Sequence, residues 1–109
     1  MVHDSRPFLL DVRTLIQSSW TQRAEARTAD GDPVDPWDSG AVSWSLLGAL
    51  VAVYDRRARL DGEELAARCL RGACARLAGA VDADLLSEWN DLPGRTQAEV
   101  LAVLEDAER

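Results

Sequence analysis

Val42-Ser43-Trp44-Ser45-Leu46-Leu47-Gly48-Ala49-Leu50-Val51-Ala52-Val53-Tyr54 carries apolar side chains in almost every direction when wound as a helix: Val42, Trp44, Leu46, Leu47, Ala49, Leu50, Val51 and Val53. A helix apolar all round is one enclosed by others. The stretch therefore predicts a buried central helix, starting at Asp38 or Ser39 and ending near Asp55. Ser43, Ser45 and Gly48 break its surface with small groups that permit close approach by a neighbouring helix or a bound group.

Outward from this stretch, the pattern is helical on both sides. Phe8, Leu9, Val12, Leu15, Ile16, Ser19 and Trp20 recur at three- and four-residue steps, so Ser5 to Gln22 reads as an amphipathic helix, capped by Asp4 or Ser5, with Pro7 in its first turn. Between residues 25 and 39 lie the turn dipeptides Asp30-Gly31, Asp32-Pro33 and Asp35-Pro36. A long loop is expected there, with a possible minor hairpin joining Ala26 to Ala29 with Asp32 to Val34, and Trp37 pinning the loop to the core. Downstream, Asp61 and Glu64 suggest a capping box for a third helix ending at Ala78-Gly79. Asp82 starts a short fourth helix with Leu85, Leu86 and Trp89 inside, and Thr96 with Glu99 caps a last one. The expected fold is all-α, a single domain over residues 1–109 with about five helices around the central one.

Composition excludes several functions. No stretch approaches the roughly 18 to 20 apolar residues that cross a bilayer. Phe8 to Trp20 is interrupted by Asp11, Arg13 and Gln17, and Met1-Val2-His3-Asp4 lacks the basic and apolar regions of a signal peptide, so no membrane role and a cytoplasmic location are expected. Net charge is -7 with twelve Arg and no Lys. Arg56, Arg57 and Arg59 are followed at once by Asp61, Glu63 and Glu64, which leaves no basic footprint for direct nucleic-acid binding. Cys69 and Cys74 stand too far apart on a helix for a mutual disulfide, and no further Cys or His completes a zinc site. Asp30, Asp32, Asp35 and Asp38 fail as a calcium loop, because Val34 and Ala41 fall where acidic ligands are needed. No metal or cofactor is implied.

Two polar groupings remain. Trp89-Asn90-Asp91-Leu92-Pro93-Gly94-Arg95-Thr96 sets an indole, an amide, a carboxylate and a guanidinium at a helix junction, where Asp91 would serve as base or hydrogen-bond acceptor and Asn90 as orienting amide at a pocket edge. The structural alternative makes Asn90 a left-handed helix terminator, pairs Asp91 with Arg95 and gives Pro93-Gly94 a type II turn. Ser45 lies near a helix start but has no histidine partner except His3 at the terminus, so it reads mainly as a packing residue bonded within its own helix.

The combination of Trp20-Thr21-Gln22, Trp44-Ser45-Leu46-Leu47-Gly48-Ala49-Leu50 and Trp89-Asn90-Asp91 through Arg95-Thr96-Gln97-Ala98-Glu99-Val100-Leu101 resembles an uncharacterised family, domain of unknown function 6197, of short actinobacterial and actinophage proteins. The resemblance spans nearly the whole chain and implies no activity. It does imply that relatives commonly carry Cys where this chain has Ser45, a place where a helix N-terminus would lower a thiol pKa.

Three functional readings follow. The first is an accessory module that binds a protein partner or small ligand, or forms a homodimer, through a surface or pocket lined by Trp20, Trp37, Trp44 and Trp89 beside Arg95. The second is a small cofactor-independent enzyme of specialised metabolism with Ser45, Asn90 and Asp91 as its polar cluster. The third, an acidic phage-type inhibitor mimicking nucleic acid, is weakened by the mixing of Arg among the acids.

Overall fold

The computed structural model describes residues 4–81 and 85–109. Its first helix, α1 (Arg6–Ser18), buries Phe8, Leu9, Val12 and Ile16 of the expected stripe and ends four residues short of Gln22, so that Ser19 and Trp20 lie outside it. Pro7 sits in the first turn, and Ser5 holds the N-cap position without a side-chain cap bond. Asp4 instead accepts the Arg6 backbone N–H at 2.9 Å. The helix stops before Trp20, because Ser19 is fully extended at φ -171°.

The central stretch divides in two, which corrects both the expected helix start and the all-α class. Strand β3 (Ser43–Trp44) precedes helix α2 (Leu46–Asp61). Ser45 is the N-cap, with its Oγ accepting the Gly48 N–H at 3.0 Å. Val42 to Ser45 alternates outward and inward, with Val42 exposed and Ser43 and Ser45 buried, which is the period of a strand. An unfilled N-cap would leave buried amides unpaired, so serine at 45 ends the strand and begins the helix there.

Strands β1 (Ala26–Arg27) and β2 (Pro33–Val34) form the hairpin that Asp30-Gly31 foreshadows, with Gly31 at φ +88°. They pair antiparallel with Ala26 opposite Val34. The other edge of β1 pairs antiparallel with β3, Ala26 opposite Trp44, giving the order β2-β1-β3. Arg27 holds the hairpin from inside, donating to Thr21 Oγ1, Gly31 O and Gln22 O at 3.0, 2.8 and 3.2 Å. The Glu25 carbonyl meets the start of α2, accepting the Ser45 N–H at 3.0 Å. Gly48 is what admits it, since a Cβ there would overlap the Glu25 carbonyl oxygen.

Helices α2 and α3 (Glu63–Leu77) are separated by Gly62 alone, at φ +96°. Asp61 is the last residue of α2, so the expected Asp61–Glu64 capping box does not form; the sharp reversal needs a glycine at the cap position. Cys69, Ala73 and Leu77 are buried, both cysteines are free, and burial raises the pKa of the half-buried Cys74 thiol. The proposed start of the fourth helix at Asp82 lies outside the described residues. Helix α4 (Leu86–Asp91) buries Leu86, whereas Leu85 is exposed rather than inward. A turn follows in which Gly94 has φ +86° and the Arg95 N–H reaches Leu92 O at 2.9 Å, as Pro93-Gly94 implies. Helix α5 (Gln97–Glu108) then opens on the complete Thr96–Glu99 capping box and packs along α1. No described helix is long and apolar enough to cross a membrane.

Two predictions follow from this architecture. Gly48→Ala forces the Glu25 strand away from α2 and lowers stability by about 2 kcal/mol or more in urea unfolding. Gly79→Ala, where a Cβ meets open space, stays within about 0.5 kcal/mol of the parent. Equal effects would overturn the close-approach account. At α5, the Thr96 backbone N–H, then its hydroxyl and the nearby Arg95, hold the Glu99 carboxyl below its ordinary value. Because the folded value lies below the unfolded one, this stabilisation is present above the ordinary glutamate range and disappears as pH falls through the lowered value. The difference in urea midpoint between the parent and Glu99→Gln therefore shrinks with acidification; a difference independent of pH would contradict the assignment.

Candidate functional site

Helix α4 delivers Asn90 into the interior, where it is fully buried. A buried carboxamide needs two acceptors for its N–H groups and two donors for its oxygen. Asn90 finds all four. Its Oδ1 accepts the Trp20 indole Nε1–H at 2.7 Å and the Leu46 backbone N–H at 3.0 Å. Its Nδ2 donates to Thr21 O at 3.1 Å and to Asp91 Oδ1 at 3.0 Å. The Asn90 carbonyl also receives Gln22 Nε2 at 2.9 Å. Asn90 is thus not a left-handed terminator; it lies within the helix and joins α4 to the chain after α1 and to the start of α2.

Asp91 continues the same seam. Its Oδ1 accepts the Arg23 backbone N–H at 2.8 Å, holding Arg23 at φ +64°, where non-glycine residues are uncommon. The expected Asp91–Arg95 pair does not form. Arg95 turns the other way, its guanidinium carbon 4.0 Å from the Trp89 ring centre, with Nε donating to Trp89 O at 3.0 Å and Nη1 reaching Glu99 at 3.2 Å. The structure brings Asn90 and Asp91 together and sets Asn90 one residue from Ser45, through the Leu46 N–H. Ser45 itself is occupied as the α2 cap.

The tryptophans do not form one surface. Trp20 leaves α1 to bridge Trp44 across the sheet edge, and its indole N–H is consumed by Asn90. Trp89 borders a groove of about 340 Å³ with Val81, Leu85, Glu88, Leu92 and Arg95. Trp37 and Trp44 line a separate pocket of about 200 Å³ with Leu15, Pro36 and Ala52, rimmed by Asp38, Asp55 and Arg56. Trp37 is 53% exposed, so it does not pin the loop. Buried Pro36 does, with its carbonyl accepting the Trp44 indole N–H at 3.1 Å. A second, shallower depression lined by Arg23, Glu25, Pro33, Val34 and Asp35 shares Asp38 with this pocket. Sequence reasoning gave Asp38 the start of the central helix, whereas here it closes a turn by accepting the Gly40 N–H at 2.7 Å. It missed Pro36, Asp55 and Arg56, which reach the pocket from the loop and from α2 and share no local pattern. Among the described residues no three His, Cys, Asp or Glu side chains are grouped as metal ligands.

Asn90→Leu leaves the Trp20 and Leu46 donors and the Thr21 carbonyl without their partner, and the expected cost is about 2–4 kcal/mol in urea unfolding. Asn90→Asp keeps the acceptor but sets a second carboxylate beside Asp91, and is expected to lose stability as well. A Leu variant as stable as the parent would show that the amide holds nothing together.

No curated protein and no solved structure matches the chain. A family model does, over residues 5–109, and the match covers every segment described above. The chain belongs to a family of unknown function, DUF6197.

Proposed function

We propose that this chain is a non-catalytic module that holds a protein partner on the face formed by Trp37 and Trp44. The observation that carries the reading is the half-exposed indole of Trp37 over a pocket, in a molecule whose other indoles have partners. Trp89 already has the Arg95 guanidinium over its ring, and Trp20 is bonded to Asn90. An exposed aromatic beside a depression is the usual anchor of a protein contact. At about 200 Å³ the pocket is smaller than the roughly 300–1,000 Å³ of small-molecule sites and suits a single inserted side chain.

Bonding within the Ser45, Asn90 and Asp91 cluster favours binding over catalysis. Asn90 spends its whole carboxamide on the frame, Asp91 Oδ1 accepts the Arg23 and Asn90 N–H groups, and Ser45 Oγ accepts the Gly48 N–H, so each of the three has a structural role.

Selection of displayed random peptides against the folded chain tests the reading. Peptides so obtained are expected to lose about tenfold or more in affinity for Trp37→Ala. The unfolding midpoint of that variant should stay unchanged, since the side chain is half in water. Binders indifferent to Trp37 would remove the proposed face, and concentration-dependent dimerisation abolished by Trp37→Ala would identify a second copy of this chain as the occupant.

A further inference from the structure

We infer that the partner presents a basic segment, with one arginine or lysine side chain seated in the Trp37–Trp44 pocket and its basic neighbours lying along the adjoining depression. This inference rests on the binding reading above and adds the chemistry of the occupant. Indole faces attract cations through the ring quadrupole, and the attraction grows when carboxylates stand nearby. Both conditions hold at this pocket.

Acidic groups outnumber basic ones in the two linings, with Glu25, Asp35, Asp38 and Asp55 against Arg23 and Arg56. Residues 25–39 as a segment contain Glu25, Asp30, Asp32, Asp35 and Asp38 against Arg27 alone, a net of -4 out of the chain's -7. Arg27 is turned inward onto two carbonyls and the Thr21 hydroxyl, away from any ion pair with these acids. Asp38 accepts the Gly40 N–H and lines both depressions, so this residue is common to the aromatic pocket and to the surface that carries Glu25 and Asp35. Asp55, also in the pocket lining, pairs with Arg59 at 3.2 Å, and the Arg59 side chain is 72% exposed. A surface pair of that kind contributes little and yields to an incoming cation. Arg56 also lines the pocket and Arg23 the depression, and these two cations offset part of the acidic charge that a basic segment meets.

A short peptide of alternating Arg and Ser, and the same peptide with citrulline replacing every arginine, separate charge from shape. Calorimetric titration is expected to show the arginine peptide binding about tenfold or more tightly than its neutral twin. Affinity should fall as salt rises from about 50 to about 500 mM. The indole N–H resonance of Trp37 should shift, and Asp38→Asn and Asp55→Asn should each weaken binding by about two- to fivefold. Equal affinity of the two peptides overturns the inference. So does arginine-peptide binding unaffected by Trp37→Ala, which would be general attraction to an acidic protein. If neither peptide binds while Trp37-dependent selected peptides do, the basic occupant is wrong and the binding face stands. If no Trp37-dependent binder exists at all, both readings fall.

Discussion

The buried carboxamide of Asn90 is where three parts of the chain are joined. Its oxygen takes one proton from the indole that follows α1 and one from the first residue of α2, while its nitrogen holds the Thr21 carbonyl and the neighbouring Asp91. No other side chain of similar size supplies two acceptor sites and two donors on one planar group. A carboxylate would face the Thr21 carbonyl and Asp91 without protons to give, and leucine would leave the Trp20 and Leu46 donors and the Thr21 carbonyl unpaired. Asn90 therefore does more than fill space. It sets the distance between α4 and the N-terminus of α2, and with it the position of Trp20 against Trp44 at the edge of the sheet.

Much of the molecule's polarity is spent in the same way. Arg13 reaches Glu108 at 2.7 Å, Arg76 holds the carbonyls of Ala107 and Arg109, and Arg57 joins Asp11 at 2.8 Å, so the arginines that join the helices act across elements rather than on ligands. The Ser45, Asn90 and Asp91 groups, chemically suggestive in the sequence, are bonded to one another's surroundings. The loop of residues 25–39 differs. It is fastened at Pro36 and along the strands but leaves Trp37 and most of its carboxylates toward water, and the proposed partner surface lies there. A rigid frame under an exposed aromatic reduces the ordering that a contact would otherwise require.

Features determined by neighbouring residues were readable in advance. The helical stripe from Phe8, the Thr96–Glu99 capping box, the Asp30-Gly31 hairpin and the Pro93-Gly94 turn depend on residues a few positions apart; the box and the turn appear as read, and the first helix and the hairpin appear in shorter form. The central stretch misled because Val42 and Trp44 satisfy a helical apolar count and a strand alternation equally well. Only the pairing of Ser43 and Trp44 with a strand some seventeen residues earlier selects between them. The Asp61–Glu64 signal failed for a related reason: the chain must reverse at Gly62, and that reversal is imposed by packing α3 back on α2.

For the site, residue types announced themselves but their partners did not. The sequence alone determined that four indoles, a turn rich in Asn and Asp, and an acidic loop would have to be accommodated by one small core, because composition and short-range spacing are properties of the chain itself. Which indoles were to be satisfied and which left exposed was decided only in three dimensions. Asn90 lies 70 residues from the Trp20 that it binds, and Pro36 anchors the loop in place of the adjacent Trp37. Hydrogen bonds and burial at such separations depend on how the helices pack, so only the tertiary structure could set one tryptophan against the core and leave another half in water.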